Sequence, residues 1–230
     1  MEITSRDGNR KMIFGILLAV LLLLAATFVP ALIAKIYPFS YKNIFIISRD
    51  LYWLCLFALM LYATRIEKNF FLVWKEKNYP STFYLAAFPA LFGILFFGIV
   101  IVNIILIKGF HVAEHAEKLK AILNLFRENK WLLYFTVITA GVVEELIFRG
   151  YLMPRLQIIF KTKFWAVFIS SALFGLMHFT YGTVLQVVGP FYIGLIFALF
   201  YEKYKSITTL IIIHAIWDLM TISLLLTRHV

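Results

Sequence analysis

The stretch WLLYFTVITAGVVEELIFR, residues 131–149, sets two adjacent carboxylates and an arginine in a run otherwise apolar and long enough to cross a membrane. Ionised groups are costly in hydrocarbon, so Glu144, Glu145 and Arg149 have to face a protein interior or a water-filled cavity. The same holds for Phe174-Gly-Leu-Met-His178 and His214-Ala-Ile-Trp-Asp218, each lying in or beside another hydrophobic run. Around these clusters the 230-residue chain is 63% hydrophobic and only 15% charged, with a mean hydropathy of +0.90. Soluble domains carry fewer apolar and more charged residues, so the chain reads as an all-α, polytopic transmembrane helix bundle.

Apolar blocks at 12–33, 44–64, 82–107, 131–148, 164–179, 183–201 and 207–226 give about seven spans. The second is the weakest, because Arg49 and Asp50 interrupt it. The first block is longer than a signal-peptide core and has no convincing cleavage site, which predicts an uncleaved span. Phe70–Trp74 is too short to cross and is expected at the interface. Between the third and fourth spans, 111–130 places Leu119, Ile122, Leu123 and Phe126 on one helical face. This amphipathic helix is expected on the membrane surface, with capping of the bundle as the alternative. No repeats or flexible linkers divide the chain, so 1–230 reads as a single integral membrane domain.

The net charge of +10 points to lipid headgroups rather than nucleic acid, because Lys and Arg lie between the hydrophobic blocks. Thirteen of the 22 Lys and Arg fall on the N-terminal side of an alternating bundle. That bias predicts a cytoplasmic N-terminus in a cell membrane. The single cysteine, Cys55, excludes an intrachain disulfide and is expected to be a buried small hydrophobe.

Residues four apart on a helix share a face, so Glu145 can pair with Arg149 as structural support while Glu144 points elsewhere, toward a cavity. His214 and Asp218 likewise share a face, and a carboxylate beside an imidazole fixes its orientation. Taken alone, each pair also fits ordinary packing between helices.

Together, Glu-Glu-x-x-x-Arg, Phe-x-x-x-His and His-x-x-x-Asn/Asp on successive hydrophobic helices resemble the signature of the CAAX prenyl protease type 2 and bacteriocin-processing family of intramembrane proteases, also called the abortive-infection family. The match covers 131–226. The resemblance implies an intramembrane endopeptidase acting on a membrane-associated peptide or protein. In it Glu144 polarises a water, His178 helps hold that water, and His214 with Asp218 stabilises the oxyanion. Position 218 departs from the Asn of the prenyl-protease branch. An ionised Asp218 would repel an oxyanion, so it is expected to be protonated, to orient His214, or to bind metal.

Glu, two His and Asp also make a plausible zinc shell, so zinc stays open as a cofactor. The absence of His-Glu-x-x-His favours the metal-free glutamate mechanism. A catalytically silent binding or immunity protein and a small proton-linked transporter are the other classes such residues allow. Depth poses a difficulty for a shared site. If the fourth helix ends near Phe148, Glu144 lies roughly 7 Å from its inner end, whereas His178 lies roughly 22 Å from Lys163. The reading therefore expects the fifth helix to begin outside the bilayer or to tilt strongly, and the cavity to open toward the cytoplasm. Gly189-Pro190 hints at a kink that gates lateral access of substrate.

Overall fold

A computed structural model describes residues 6–112 and 117–227, and among these the chain is helical with no strand. The long helices are α1 (Arg6–Ile36), α2 (Tyr41–Arg65), α3 (Ser81–Gly109), α5 (Lys130–Phe160), α6 (Lys163–Met177, running into a 3-10 turn over Phe179–Tyr181), α7 (Leu185–Tyr204) and α8 (Ile207–Thr227). Counted with that 3-10 turn, all seven are long and apolar enough to span a membrane. The protein is therefore a multi-pass membrane helix bundle. The short α4 (Glu117–Glu128) joins α3 to α5.

α5 is the axis of the fold, packing against α1, α2, α6, α7 and α8. Its backbone is not a regular α-helix. Wide π-type turns occupy Ala140–Glu144 and Leu146–Leu152, an arrangement frequent at functional sites because it re-aims side chains. The irregular carbonyls find partners: Ser170 Oγ donates to the Phe148 carbonyl at 3.0 Å, and Arg155 Nη1 to that of Tyr151 at 3.1 Å. Close approach of α8 depends on Gly141, where a Cβ would lie 2.9 Å from the Ile211 carbonyl oxygen and 3.0 Å from the Ala215 Cβ.

Several expectations need correction. α2 runs unbroken through Arg49 and Asp50, because Asp50 is exposed and the Arg49 guanidinium lies 5.1 Å from the centroids of the Phe45 and Tyr52 rings. Phe70–Trp74 forms no spanning helix and is tied to the bundle. Arg155 draws this segment under the bundle by donating to the Phe70 and Phe71 carbonyls at 3.3 and 3.1 Å.

The amphipathic stripe of α4 turns onto protein, not lipid. Leu123, Leu125 and Phe126 bury against Phe45, Leu132, Leu133 and Val137, so the helix caps one end of the bundle. A single residue, Asn129, separates it from α5, and Lys42 Nζ fixes that corner by donating to Asn129 Oδ1 at 2.8 Å. Part of the expected helix, 113–116, lies outside the described residues. Cys55 is buried, with Sγ 3.2 Å from the Leu22 carbonyl.

The depth problem disappears for a reason unlike the one expected. α6 does begin at Lys163, but α5 continues to Phe160 because Arg149 and Arg155 are fully buried and do not mark a membrane boundary. Glu144 is then about 24 Å from the end of α5, close to the roughly 22 Å separating His178 from Lys163.

Candidate active site

Glu144 lies in the last π-type turn before Glu145, so the two carboxylates leave α5 in different directions. Glu145 is 0% exposed. Its Oε1 accepts two hydrogen bonds, from Arg149 Nη1 at 2.8 Å and from His214 Nδ1 at 2.8 Å. Arg149, also 0% exposed, donates from Nη2 to the Gly194 carbonyl at 3.2 Å and lies 4.4 Å from the Phe174 ring centroid. One carboxylate thus ties α5 to α8, and its guanidinium partner ties α5 to α7. The i, i+4 pair is present, and the bond from His214 gives Glu145 a further role that sequence spacing did not reveal.

Because Glu145 accepts at Nδ1, that nitrogen of His214 carries hydrogen and Nε2 is left for the cavity. Nε2 faces Asp218 Oδ2 at 3.6 Å, beyond hydrogen-bonding distance. Of the alternatives for Asp218, orienting His214 is the role the geometry gives to Glu145 instead. Asp218 is the more open residue, its side chain 28% exposed, and it lies on the cavity wall.

His178 caps the C-terminus of α6, and its Nδ1 is 2.9 Å from the Phe174 carbonyl. A carbonyl can only accept, so Nδ1 holds a hydrogen and Nε2 is the ring nitrogen left for the cavity. The ring stacks on Tyr181 at 5.9 Å between centroids.

Two contiguous recesses collect these groups. A cavity of about 520 Å³ is lined by Glu144, His178, His214 and Asp218, with the α4 stripe residues Leu119, Ile122, Leu123 and Phe126 over it and Gly189 and Pro190 in its wall. A smaller recess of about 70 Å³ shares Arg49, Glu144, Phe174, His178 and Tyr181 with it and adds Thr27, Ser48 and Tyr52. Glu144 Oε2 is buried and receives no hydrogen bond from the protein. Arg149 and Glu145 stand behind the lining, not in it.

The placement of the cavity overturns one pairing of expectations. Its lining comes mainly from the C-terminal halves of α1, α3 and α6, the middle and C-terminal half of α8, α4, and the N-terminal halves of α2, α5 and α7. In an alternating bundle these all lie at the end opposite the N-terminus. A cytoplasmic N-terminus and a cavity open to the cytoplasm are therefore incompatible. Among the described residues no three His, Cys, Asp or Glu side chains converge in the arrangement that holds a metal ion.

Sequence reasoning missed three supports. Arg155 and Glu67 form a buried ion pair of 2.5 Å, joined by Tyr151 donating to Glu67 at 2.8 Å. Glu76 caps the helix that carries His214, accepting from the Ile207 and Thr208 amides at 2.8 and 3.2 Å and from Ser206 at 3.1 Å. Arg49, taken as an interruption, is a cavity residue. For Glu67 and Glu76 the only signal was an acidic residue isolated in a basic loop.

Residues 126–220 match the family described as Rce1-like, type II CAAX prenyl endopeptidase. No curated protein and no solved structure matches the chain.

Proposed function

We propose that this chain, whose residues 126–220 match the Rce1-like type II CAAX prenyl endopeptidase family, hydrolyses peptide bonds of membrane-associated substrates through a water activated by Glu144, without a metal. The observation that carries this reading is the unpaired Oε2 of Glu144 on the cavity that also holds His178 and His214. Family membership supports protease activity, and the donor geometry supports the metal-free route.

In this mechanism a water bridges Glu144 Oε2 and His178 Nε2. Glu144 takes its proton as the oxygen attacks the peptide carbonyl. The oxyanion accepts a hydrogen bond from a His214 Nε2 that carries hydrogen, with Glu145 at Nδ1 and Asp218 beside Nε2 as the carboxylates facing the ring. Collapse breaks the C–N bond, and Glu144 returns the proton to the departing amine, leaving a new carboxylate and a new N-terminus. Asp218 serves here as a counter-charge to the imidazolium and not as an oxyanion donor. The protease unit is 131–226 within one membrane domain. Following the charge bias, we place the N-terminus in the cytoplasm, so that the cavity mouth faces the opposite side.

The test compares new peptide N-termini in membranes containing the native chain and Glu144→Gln at equal abundance, with and without a zinc chelator. Termini that disappear in the variant and persist under chelation are expected. Termini unaffected by the substitution would remove Glu144 as the base, and loss under chelation would replace the metal-free route with a zinc-dependent one.

A further inference from the structure

The end of the bundle opposite the cavity carries a corner where α6 begins at Lys163 and α7 ends at Tyr204, so two spanning helices meet the membrane surface there. Three lysines crowd this corner. Lys163 Nζ is 2.7 Å from Glu202 Oε1, while Lys205 Nζ is 3.9 Å from the same oxygen and has only a weak share in it. The Lys77 amide donates to the Lys205 carbonyl at 3.0 Å, which brings the third lysine alongside. Among the described residues Glu202 is the one carboxylate within ion-pair distance of these lysines. The nearby Glu76 is committed to the Ser206 hydroxyl and the Ile207 and Thr208 amides.

Helix chemistry does not explain the crowding. Lys163 is the first residue of α6, at the positive end of the helix dipole, where a cation is disfavoured. Lys205 holds a left-handed backbone, φ 52°, that Gly or Asn adopts at less cost. Burial, with Lys163 and Lys77 adding to it, pushes the Lys205 ammonium down to about 8 against the pull of Glu202. Its Nζ rests 3.1 Å from the centroid of the Trp74 ring, a contact that holds the charge in place without neutralising it. Lys77 and Lys163 are exposed, so the unmatched positive charge is presented outward.

Beside it, in the first turns of α6, Phe164, Trp165 and Phe168 form an exposed cluster with ring centroids 5.1 to 6.2 Å apart. Rings at the end of a span sit where headgroups meet acyl chains, and lysines at that level attract anionic lipid. A phospholipid of net negative charge answers both features, its phosphate meeting the ammonium groups and its chains the rings. We propose that Lys77, Lys163 and Lys205 form a binding site for the phosphate of an anionic phospholipid whose acyl chains lie against Phe164 and Phe168. The site stands at the far end of the bundle from Glu144 and does not depend on the protease reading.

Thermal unfolding of the full-length protein in detergent, followed at rising concentrations of dioleoylphosphatidylglycerol or dioleoylphosphatidylcholine, reads the binding of each lipid. The anionic lipid is expected to act at a concentration about fivefold or more below the neutral one. Lys77→Gln/Lys163→Gln leaves Glu202 to Lys205 alone and should abolish that preference. Glu202→Gln, which removes the competing carboxylate, should strengthen it. Lys118→Gln/Lys120→Gln makes the same change of charge on α4, at the other end of the bundle, and should keep the preference intact. Equal action of the two lipids on the native protein overturns the site, as does an equal loss in both lysine pairs or a preference that survives Lys77→Gln/Lys163→Gln. Inorganic phosphate alone should change the melting temperature of the native protein no more than that of Lys77→Gln/Lys163→Gln; a stabilisation confined to the native protein would overturn the lipid in favour of a soluble phosphate.

Discussion

Replacing Glu145 by Gln keeps the shape of the side chain and removes the one charge that faces Arg149 and His214 together. Both Arg149 and Glu145 are fully buried, so the guanidinium is left as an uncompensated charge inside the bundle. Breaking a buried pair in this way costs about 3–5 kcal/mol. For a chain of this size that corresponds to a fall in melting temperature of roughly 6–20 °C. The double variant Glu145→Gln/Arg149→Met removes both charges and is expected to regain all but about 1 kcal/mol; with Arg149→Met alone also costing about 3–5 kcal/mol, the coupling energy between the positions is about 5–9 kcal/mol. Cleavage should not return with stability, because His214 has lost the carboxylate at Nδ1 in both variants; a reduction of about 10–100-fold is expected, the range found when a ligand's supporting partner is removed. Thermal unfolding in detergent gives the stabilities, and quantified new N-termini give the activities. The reasoning is refuted if Glu145→Gln melts like the native protein, if the double variant is as unstable as the summed singles, or if it cleaves at the native rate.

Four further expectations can be checked alongside it. Gly141→Val puts a Cβ against the Ile211 carbonyl and should cost about 1–3 kcal/mol while loosening the Glu145–His214 bond, so both melting temperature and cleavage should fall. Glu67→Ala strands the buried Arg155 and should lower stability by about 3–5 kcal/mol; a Glu67→Ala melting curve matching the native one would remove the clamp from the account. Burial pushes the Lys205 ammonium down to about 8 from an ordinary 10.5, so the unfolded chain binds more protons between those values and stability should rise with pH across that window. Lys205→Asn, which tolerates the left-handed backbone there, should flatten that rise in melting temperature measured from pH 7 to 10. Finally, single cysteines at Lys77 and Lys120, in a Cys55→Ala background, should react with membrane-impermeant reagents from opposite sides; labelling of both from one side would contradict the alternating bundle that places the cavity away from the N-terminus.

Much of the fold was readable because hydrophobic length is a strong signal in a membrane protein: all seven blocks became helices of spanning length. Their ends were less readable. Arg149 and Arg155 look like boundary charges in the sequence, and only their distant partners, Gly194 for the first and Glu67 with Phe71 for the second, show that α5 continues past them. The Glu145–Arg149 pair could be anticipated from helical spacing, whereas the bond from His214 to Glu145 spans 69 residues and depends on Gly141 admitting α8. Arg49 looked like a defect in a span because periodicity cannot distinguish a charge facing lipid from one facing a cavity. The amphipathicity of α4 was visible, but a lipid surface and a bundle end offer the same apolar contact, and its stripe alone could not choose between them.

The burial of α5 also bears on how the chain reaches its membrane. Two-thirds of its most apolar stretch, 67%, is enclosed by other helices, against 11% for α3. Beyond the Glu145–Arg149 pair within the helix itself, its buried polar groups depend on other segments: Glu67 for Arg155 precedes it during synthesis, while Gly194 for Arg149 and His214 for Glu145 emerge later. A segment so equipped is a poor autonomous entrant into lipid. It has to be held beside the completed α1–α2 pair until α7 and α8 arrive. Insertion of this protein is thus an act of assembly, and the residues that build its cavity are also those for which its biogenesis must wait.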